Sequence, residues 1–396
     1  MRYRQFGKLD WKPSALGFGC MRLPLLDQDM AHVDEAEAIR MIRYAIDHGV
    51  NYLDTAAVYH SGNSERVVGK ALQDGYRQKV GLATKLTLFA LKSASQFDRF
   101  FNNQLERLQT GKIDFYLLHG LTRQLWEFAK ESKAIPFVES KIAKGQIGYL
   151  GFSFHDEYDV FKEIVDAYDN WTFCQIQYNY MDIKNQAGRR GLRYAAGKGL
   201  AVVIMEPIRG GILAKEPSPP VAKVWQTAPG NRSQAEWALQ WLWNQPEVSV
   251  VLSGMSTMEQ VIENVASAGR SGVGKLTRDE TSFIDKVRKA YLGSSPIPCT
   301  KCGYCLPCPN GVAIATIFDL YNEASMYDDF TRAPFFYMGF APGGLKADQR
   351  ADNCQECEEC LEKCPQHIAI PDWLEKAHKK LFLKDFKPPP PPPLPE

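Results

Sequence analysis

The sequence predicts an α/β chain: a (β/α)8 barrel followed by a small, mainly helical domain rich in cysteine. Three observations carry this. Eight short apolar runs alternate with longer amphipathic stretches between about residues 15 and 255. Those runs are continuously apolar, so each strand is buried on both faces, as in a parallel sheet covered by helices. Finally, eight of the ten cysteines fall between Cys299 and Cys364.

The strands, in order, are "ALGFGCM", "NYLDTAA", "VGLATKL", "IDFYLLHG", "IGYLGFSF", "FCQIQYN", "GLAVVIMEP" and "VSVVLSGM". Between them, "DEAEAIRMIRYAIDHG" sets Ile39, Ile42 and Ile46 at helical spacing, with Arg40, Arg43 and Asp47 opposite. The segment "STMEQVIENVA" repeats the pattern with Met258, Val261, Ile262 and Val265. Eight strand–helix units in succession point to a closed barrel. An open doubly wound sheet is the alternative, but no G-x-G-x-x-G follows the first strand.

The chain's 396 residues accommodate a barrel of about 250 residues and an appendage. A 45% hydrophobic and 23% charged composition is that of an ordinary globular protein. The formal charge of +1 offers no nucleic-acid surface. No apolar run approaches the roughly 20 residues of a membrane helix, and the start "MRYRQFGKLD" lacks the apolar stretch of a signal peptide. The expectation is a cytoplasmic protein, whose clustered thiols are metal ligands and not disulfides.

Active sites of such barrels lie at the C-terminal strand ends. The polar residues or glycine closing the runs are Asp54, Lys85, His119, Ser153, Gln177, Glu206 and Gly254, a set rich in acid–base chemistry.

Cys354, Cys357, Cys360 and Cys364, with Pro365, follow C-x2-C-x2-C-x3-C-P, the spacing of bacterial [4Fe–4S] ferredoxins. Two-residue gaps let three thiolates on one loop reach three corners of a cubane, while the fourth serves the other cluster in two-cluster ferredoxins. Cys299, Cys302, Cys305 and Cys308 form a first set, also closed by proline, with a last gap one residue shorter. Structural zinc accepts four thiolates as well, but typically from two C-x2-C knuckles on separate loops. The expected cofactors are therefore two 4Fe-4S clusters. Domain boundaries follow: the barrel over 1–285, the ferredoxin-like iron–sulfur domain over 286–375, and a helix end with the polyproline tail "KPPPPPPLPE" over 376–396.

The motifs "FGKLDWKPSALGFGCMRLP", "DTAAVYHSGNSERVVGKAL", "ATKL", "FYLLHG", "GFSFH" and "QIQYNY" together resemble the aldo-keto reductases over roughly residues 1–285. The cysteine-rich segment resembles the ferredoxin-like extension of one branch of that family. The resemblance implies hydride transfer between a nicotinamide and a carbonyl, with a catalytic tetrad at Asp54, Tyr59, Lys85 and His119. Each type suits its task. Tyrosine, an acid of pKa near 10, gives a proton more readily beside an ammonium such as Lys85. Asp54 would keep Lys85 charged, and His119 would donate to the oxygen where charge develops.

By the same resemblance Ser153 and Gln177 hold the nicotinamide carboxamide, Met205 packs where many members stack an aromatic ring, and Glu263 and Asn264 reach the adenine. Phe154 replaces a frequent asparagine. Gly254 and Gln260 stand where NADP-dependent members place basic residues. NAD(H) is thus expected over NADP(H) unless Arg209 or Lys215 supplies the charge. Cys20 and Cys174 read as small buried residues.

The resemblance implies an oxidoreductase acting on a small-molecule carbonyl or alcohol. Nicotinamides move electrons in pairs and clusters move them singly, a conversion flavins normally make; the sequence has no flavin signature. Three readings follow: a reductase whose clusters exchange electrons with a ferredoxin or flavoprotein, an NAD(P)H-dependent reductase with structural or redox-sensing clusters, and an electron-transfer subunit with an inactive barrel. Specificity is expected on the loops 121–135 and 209–230.

Overall fold

The computed structural model describes residues 1–27, 29–299, 301–340 and 344–384; the polyproline tail lies outside the described residues. The chain forms two compact units. Among the described residues, one comprises Met1–Ala214 with Arg232–Thr281, the other Lys215–Asn231 with residues 282–384. Among the described residues no helix is long and apolar enough to cross a membrane.

The first unit is a closed barrel of eight parallel strands in sequential order: β1 (Leu16–Gly19), β2 (Tyr52–Asp54), β3 (Gly81–Leu86), β4 (Ile113–Leu121), β5 (Ile147–Phe154), β6 (Phe173–Gln177), β7 (Ala201–Met205) and β8 (Val248–Gly254). Strand alternation divides the core. Phe115 and Leu117 join Tyr52, Phe173, Val203 and Val250 in one cluster, whereas Tyr116 and Leu118 pack outward with the helices. Phe6 and Trp11 plug the inner cluster, each with its ring 5.0 Å from that of Phe115. Gly81 is glycine for space: a Cβ there would stand 2.6 Å from the Phe115 ring.

The helices follow from their apolar stripes and caps. Asp34 accepts from Glu37 N at 3.1 Å and starts Glu35–Asp47, which buries Ala38, Met41, Ile42, Ala45 and Ile46. Thr257 caps Met258–Gly269 in the same way. There the stripe is turned from the expected one. Ile262 is exposed, while Asn264 is buried and donates to Ser253 Oγ at 3.1 Å. A polar partner on β8 makes that burial tolerable.

A buried polar network lies outside β3. Glu65, fully buried, pairs with Arg107 at 2.7 Å and accepts from Thr84 Oγ1 at 2.6 Å and Gln104 Nε2 at 2.8 Å. Gln104 also donates to the Lys85 carbonyl at 3.1 Å and accepts from Tyr116 Oη at 2.6 Å. It therefore ties the helix Phe97–Arg107 to the strand that carries Lys85.

The second unit is helical, with its main elements at Ile314–Met326, Ala333–Tyr337 and Ile370–Leu381. Its core includes Ile297, Ile317, Phe318, Tyr337, Ile370 and Leu374. Asn322 clamps the incoming chain, accepting from Ile297 N at 2.9 Å and donating to Ile297 O at 2.8 Å.

Candidate active site and metal centre

Register brings the strand ends together: Gly19 pairs with both Asp54 and Gly254, Asp54 with Ala83, and Gln177 with Met205. At the base of this face Lys85 Nζ meets Asp54 Oδ1 at 2.6 Å and the Thr55 carbonyl at 2.8 Å. Both side chains are almost fully buried. Burial opposes the Lys85 charge, but Asp54 and Tyr59 outweigh it, and the ammonium's pKa ends above its ordinary value. Burial raises the Asp54 carboxyl, and Lys85 and the Gln175 amide restrain the rise.

Tyr59 lies over this pair, with Lys85 Nζ 4.8 Å from its ring centroid. Lys85 pulls the phenol pKa down, as expected from charge, yet burial pulls it up more strongly and Asp54 adds to that. Tyr59 therefore keeps its proton at neutral pH. The His119 ring stands edge-on to Tyr59 at 6.1 Å. Burial, Lys85 and His155 hold the imidazole well below its ordinary pKa, so it is neutral. Its Nδ1 lies 3.1 Å from Thr87 Oγ1; with Thr87 donating, the ring proton sits on Nε2 and leaves that atom a donor.

Around this centre, buried Ser153 Oγ accepts from Gly120 N at 2.7 Å, which leaves its own proton to donate. Gln177 Nε2 donates to Asp182 Oδ2 at 2.9 Å, and Met205 is half-buried at the end of β7. Phe154 points away into the helix layer, 5.1 Å from Phe161. Glu263 sits apart from the tetrad and accepts from Ser233, and Asn264 is occupied by Ser253. Buried Cys20 and Cys174 have thiols pushed up by burial and are inert packing residues.

Of the two expected cations, Arg209 pairs at 3.1 Å with Asp182, the same carboxylate that Gln177 contacts, whereas Lys215 belongs to the second unit and pairs with Asp329 at 2.6 Å. A further cation, Arg22, which the sequence did not single out, lies along Gly254. A Cβ at Gly254 would stand 3.2 Å from three Arg22 side-chain carbons, and one at Gly210 would stand 2.7 Å from Nη2. Nη2 is 3.7 Å from Glu206 Oε1. Two glycines thus make room for one arginine at the barrel mouth. His60 steadies this loop, with Nε2 accepting from Leu23 N at 3.0 Å and Nδ1 donating to Met30 O at 2.9 Å. No local sequence signal marks Arg22, because its neighbours are about 190 and 230 residues away along the chain.

In the second unit the eight clustered cysteines line two cavities. One is bordered by Cys299, Cys302, Cys305 and Cys364, the other by Cys308, Cys354, Cys357 and Cys360, with Cys305 on the edge of both. The fourth cysteine of each motif thus crosses to the other motif's cavity. Ile314 walls both cavities; Phe318 and Ile370 close one and Leu374 the other. Burial and neighbouring cysteines raise the thiols of Cys299, Cys305 and Cys360, the last to about 11. A cationic core is what this donor set needs, since thiolates so gathered repel one another. Among the described residues no three His, Cys, Asp or Glu side chains converge closely enough to hold one bare ion.

Comparison with known proteins agrees with both halves. Residues 15–289 match the aldo/keto reductase family and residues 298–369 a 4Fe-4S dicluster domain. The uncharacterised oxidoreductase YqkF of Bacillus subtilis is 28% identical over 318 residues, covering 73% of this chain and 97% of that protein. L-galactose dehydrogenase of Arabidopsis thaliana is 27% identical over 286 residues, 67% of this chain and 87% of that protein. The holo form of aldo-keto reductase AKR11C1 from Bacillus halodurans shares 31% identity at a TM-score of 0.62, covering 73% of this chain and 97% of that structure. An oxidoreductase barrel continued by a 4Fe-4S dicluster domain is therefore what this chain is: it belongs to the aldo/keto reductase family.

Proposed function

We propose that the protein interconverts a small-molecule carbonyl and its alcohol through Asp54, Tyr59, Lys85 and His119, coupled to one-electron transfer through two 4Fe-4S clusters. The observation that carries the reading is the buried Lys85–Asp54 pair at 2.6 Å directly beneath the Tyr59 ring. The nicotinamide, when bound, supplies or accepts the hydride at carbon. Tyr59 gives its phenolic proton to the carbonyl oxygen, breaking its own O–H bond as the alcohol O–H forms. Lys85 stabilises the phenolate left behind, Asp54 keeps Lys85 charged, and His119 Nε2–H holds the oxygen in line.

The residues present fit a nicotinamide dinucleotide. The Ser153 hydroxyl and Gln177 amide suit its carboxamide, and Met205 offers an apolar wall. The guanidinium of Arg22 at Gly254 suits a phosphate, and related structures from Klebsiella pneumoniae were solved with NADP and with NADPH. Arg22 therefore opens NADP(H) to a chain whose Gly254 and Gln260 argued for NAD(H).

The two cysteine sets fit two cubanes, which supply single-electron storage when bound. A hydride carries two electrons, and two one-electron sites match that count. An external ferredoxin or flavoprotein is the matching partner class.

The test is Tyr59→Phe, assayed anaerobically with nitrobenzaldehyde and reduced nicotinamide. The expected result is a loss of about 10²–10⁴ in kcat with cluster absorbance unchanged. Full retained activity would refute the tetrad.

A further inference from the structure

The two cysteine motifs are one loop carrying opposite charges. Aligning Cys299 with Cys354 sets Lys301 against Glu356, Gly303 against Glu358 and Tyr304 against Glu359. The backbone keeps the equivalence: φ is 57° at Lys301 and 51° at Glu356, then 79° at Gly303 and 60° at Glu358. A left-handed position favours glycine, as at 303. Backbone preference therefore does not explain the carboxylate at 358.

Ion pairs sharpen the contrast. Lys301 is compensated by Asp319 at 2.5 Å and Glu359 by Lys363 at 3.2 Å. Among the described residues Glu356 and Glu358 make no ion pair, and Glu358 lines the cavity of Cys308, Cys354, Cys357 and Cys360. Two uncompensated carboxylates thus stand on one loop, each adjacent to Cys357 in sequence and well within a Debye length of it.

Reduction adds a negative charge to a cluster, so nearby carboxylates disfavour it and lower the potential. Burial acts the other way, because Cys364, the one buried thiol among the eight clustered cysteines, belongs to the opposite set. That difference concerns a single ligand, since each set also has one exposed cysteine, Cys302 or Cys357.

Resting on the two-cluster reading above, we propose that the two sites are redox-inequivalent. The site of Cys308, Cys354, Cys357 and Cys360 is the harder to reduce. One electron placed there passes to the site of Cys299, Cys302, Cys305 and Cys364; the first is oxidised by one electron, the second reduced by one, and no bond or proton moves. The domain is a directional relay whose acidic loop marks the donor end.

The experiment is a potentiometric titration of the anaerobically purified full-length protein with dithionite, followed by electron paramagnetic resonance after iron and sulfide are counted. Two one-electron steps are expected. The triple variant Glu356→Gln, Glu358→Gln, Glu359→Gln raises the lower step by about tenfold in the reduction equilibrium, about 59 mV for one electron, and leaves the upper one in place. Lys301→Glu lowers the upper step. These side chains are all exposed, and unchanged iron content reports intact sites. A single potential, immobile steps, or Glu variants that shift only the upper step overturn the inequivalence. About four irons per chain instead of about eight overturns the two-cluster reading itself, and the relay with it.

Discussion

Replacing Arg107 by alanine leaves Glu65 as a fully buried carboxylate without its counterion. The two remaining donors, Thr84 Oγ1 and Gln104 Nε2, are neutral and do not replace a guanidinium. Breaking one side of a buried pair costs about 3–5 kcal/mol, most of it the uncompensated charge. For a barrel of this size that corresponds to a fall in melting temperature of about 6–20 °C. The Lys70–Glu35 pair supplies the control, since its side chains are 48% and 46% exposed and Lys70→Ala costs at most about 1 kcal/mol. Tryptophan fluorescence suits the assay, because six of the eight tryptophans lie in the barrel unit and only Trp225 and Trp373 in the other. Salt separates the two effects further, as only the exposed pair is screened. Replacing both partners, Glu65→Leu with Arg107→Leu, recovers part of the loss because no charge is stranded. If Arg107→Ala melts within a few degrees of Lys70→Ala, the buried-charge argument is wrong.

Other outcomes follow from the same geometry. Tyr59 is held protonated by burial, so carbonyl reduction stays level through neutral pH and falls only above the ordinary phenol range, while alcohol oxidation climbs over that same range; paired pH–rate profiles check this. Arg22→Ala raises the KM for NADPH by about tenfold or more, the worth of one charge-assisted contact, and spares NADH; equal losses with both would remove Arg22 from the phosphate. Cys357→Ser takes iron content from about eight to about four per chain without moving the tryptophan transition. Asn264→Ala strands the Ser253 hydroxyl and destabilises the barrel by about 1–3 kcal/mol, read by thermal melting.

What could be read in advance was what local pattern dictates. The eight strands announce themselves because burial on both faces forces continuous apolar runs, and strand ends at the barrel mouth put Asp54, Lys85 and His119 in order. The grouping of the cysteines around two cavities was legible because three thiols at two-residue gaps on one loop face a common centre, and the fourth of each motif lies beyond that loop. What escaped was set by tertiary partners. Glu65 looks like a surface residue of "NSERVVGKAL" until Arg107, 42 positions on, covers it. Ile262 fits an apolar stripe by spacing, but Ser253 turns the helix so that Asn264 goes inward. Arg22 acquires meaning only when Gly210 and Gly254 close around it. Lys215–Asn231 groups with the second unit, whereas its Pro217, Pro219, Pro220, Pro229 and Gly230 signal only a loop.

Rapid mixing tests the proposed coupling between barrel and clusters. Anaerobically purified protein containing about eight irons is reduced with dithionite, freed of excess reductant and mixed with NAD+ or NADP+ while cluster absorbance is followed. The expected result is that the oxidised-cluster absorbance returns as reduced nicotinamide forms, two clusters reoxidised for each nicotinamide. Clusters that stay reduced with both nucleotides would contradict it and leave the barrel and the iron–sulfur domain as separate devices.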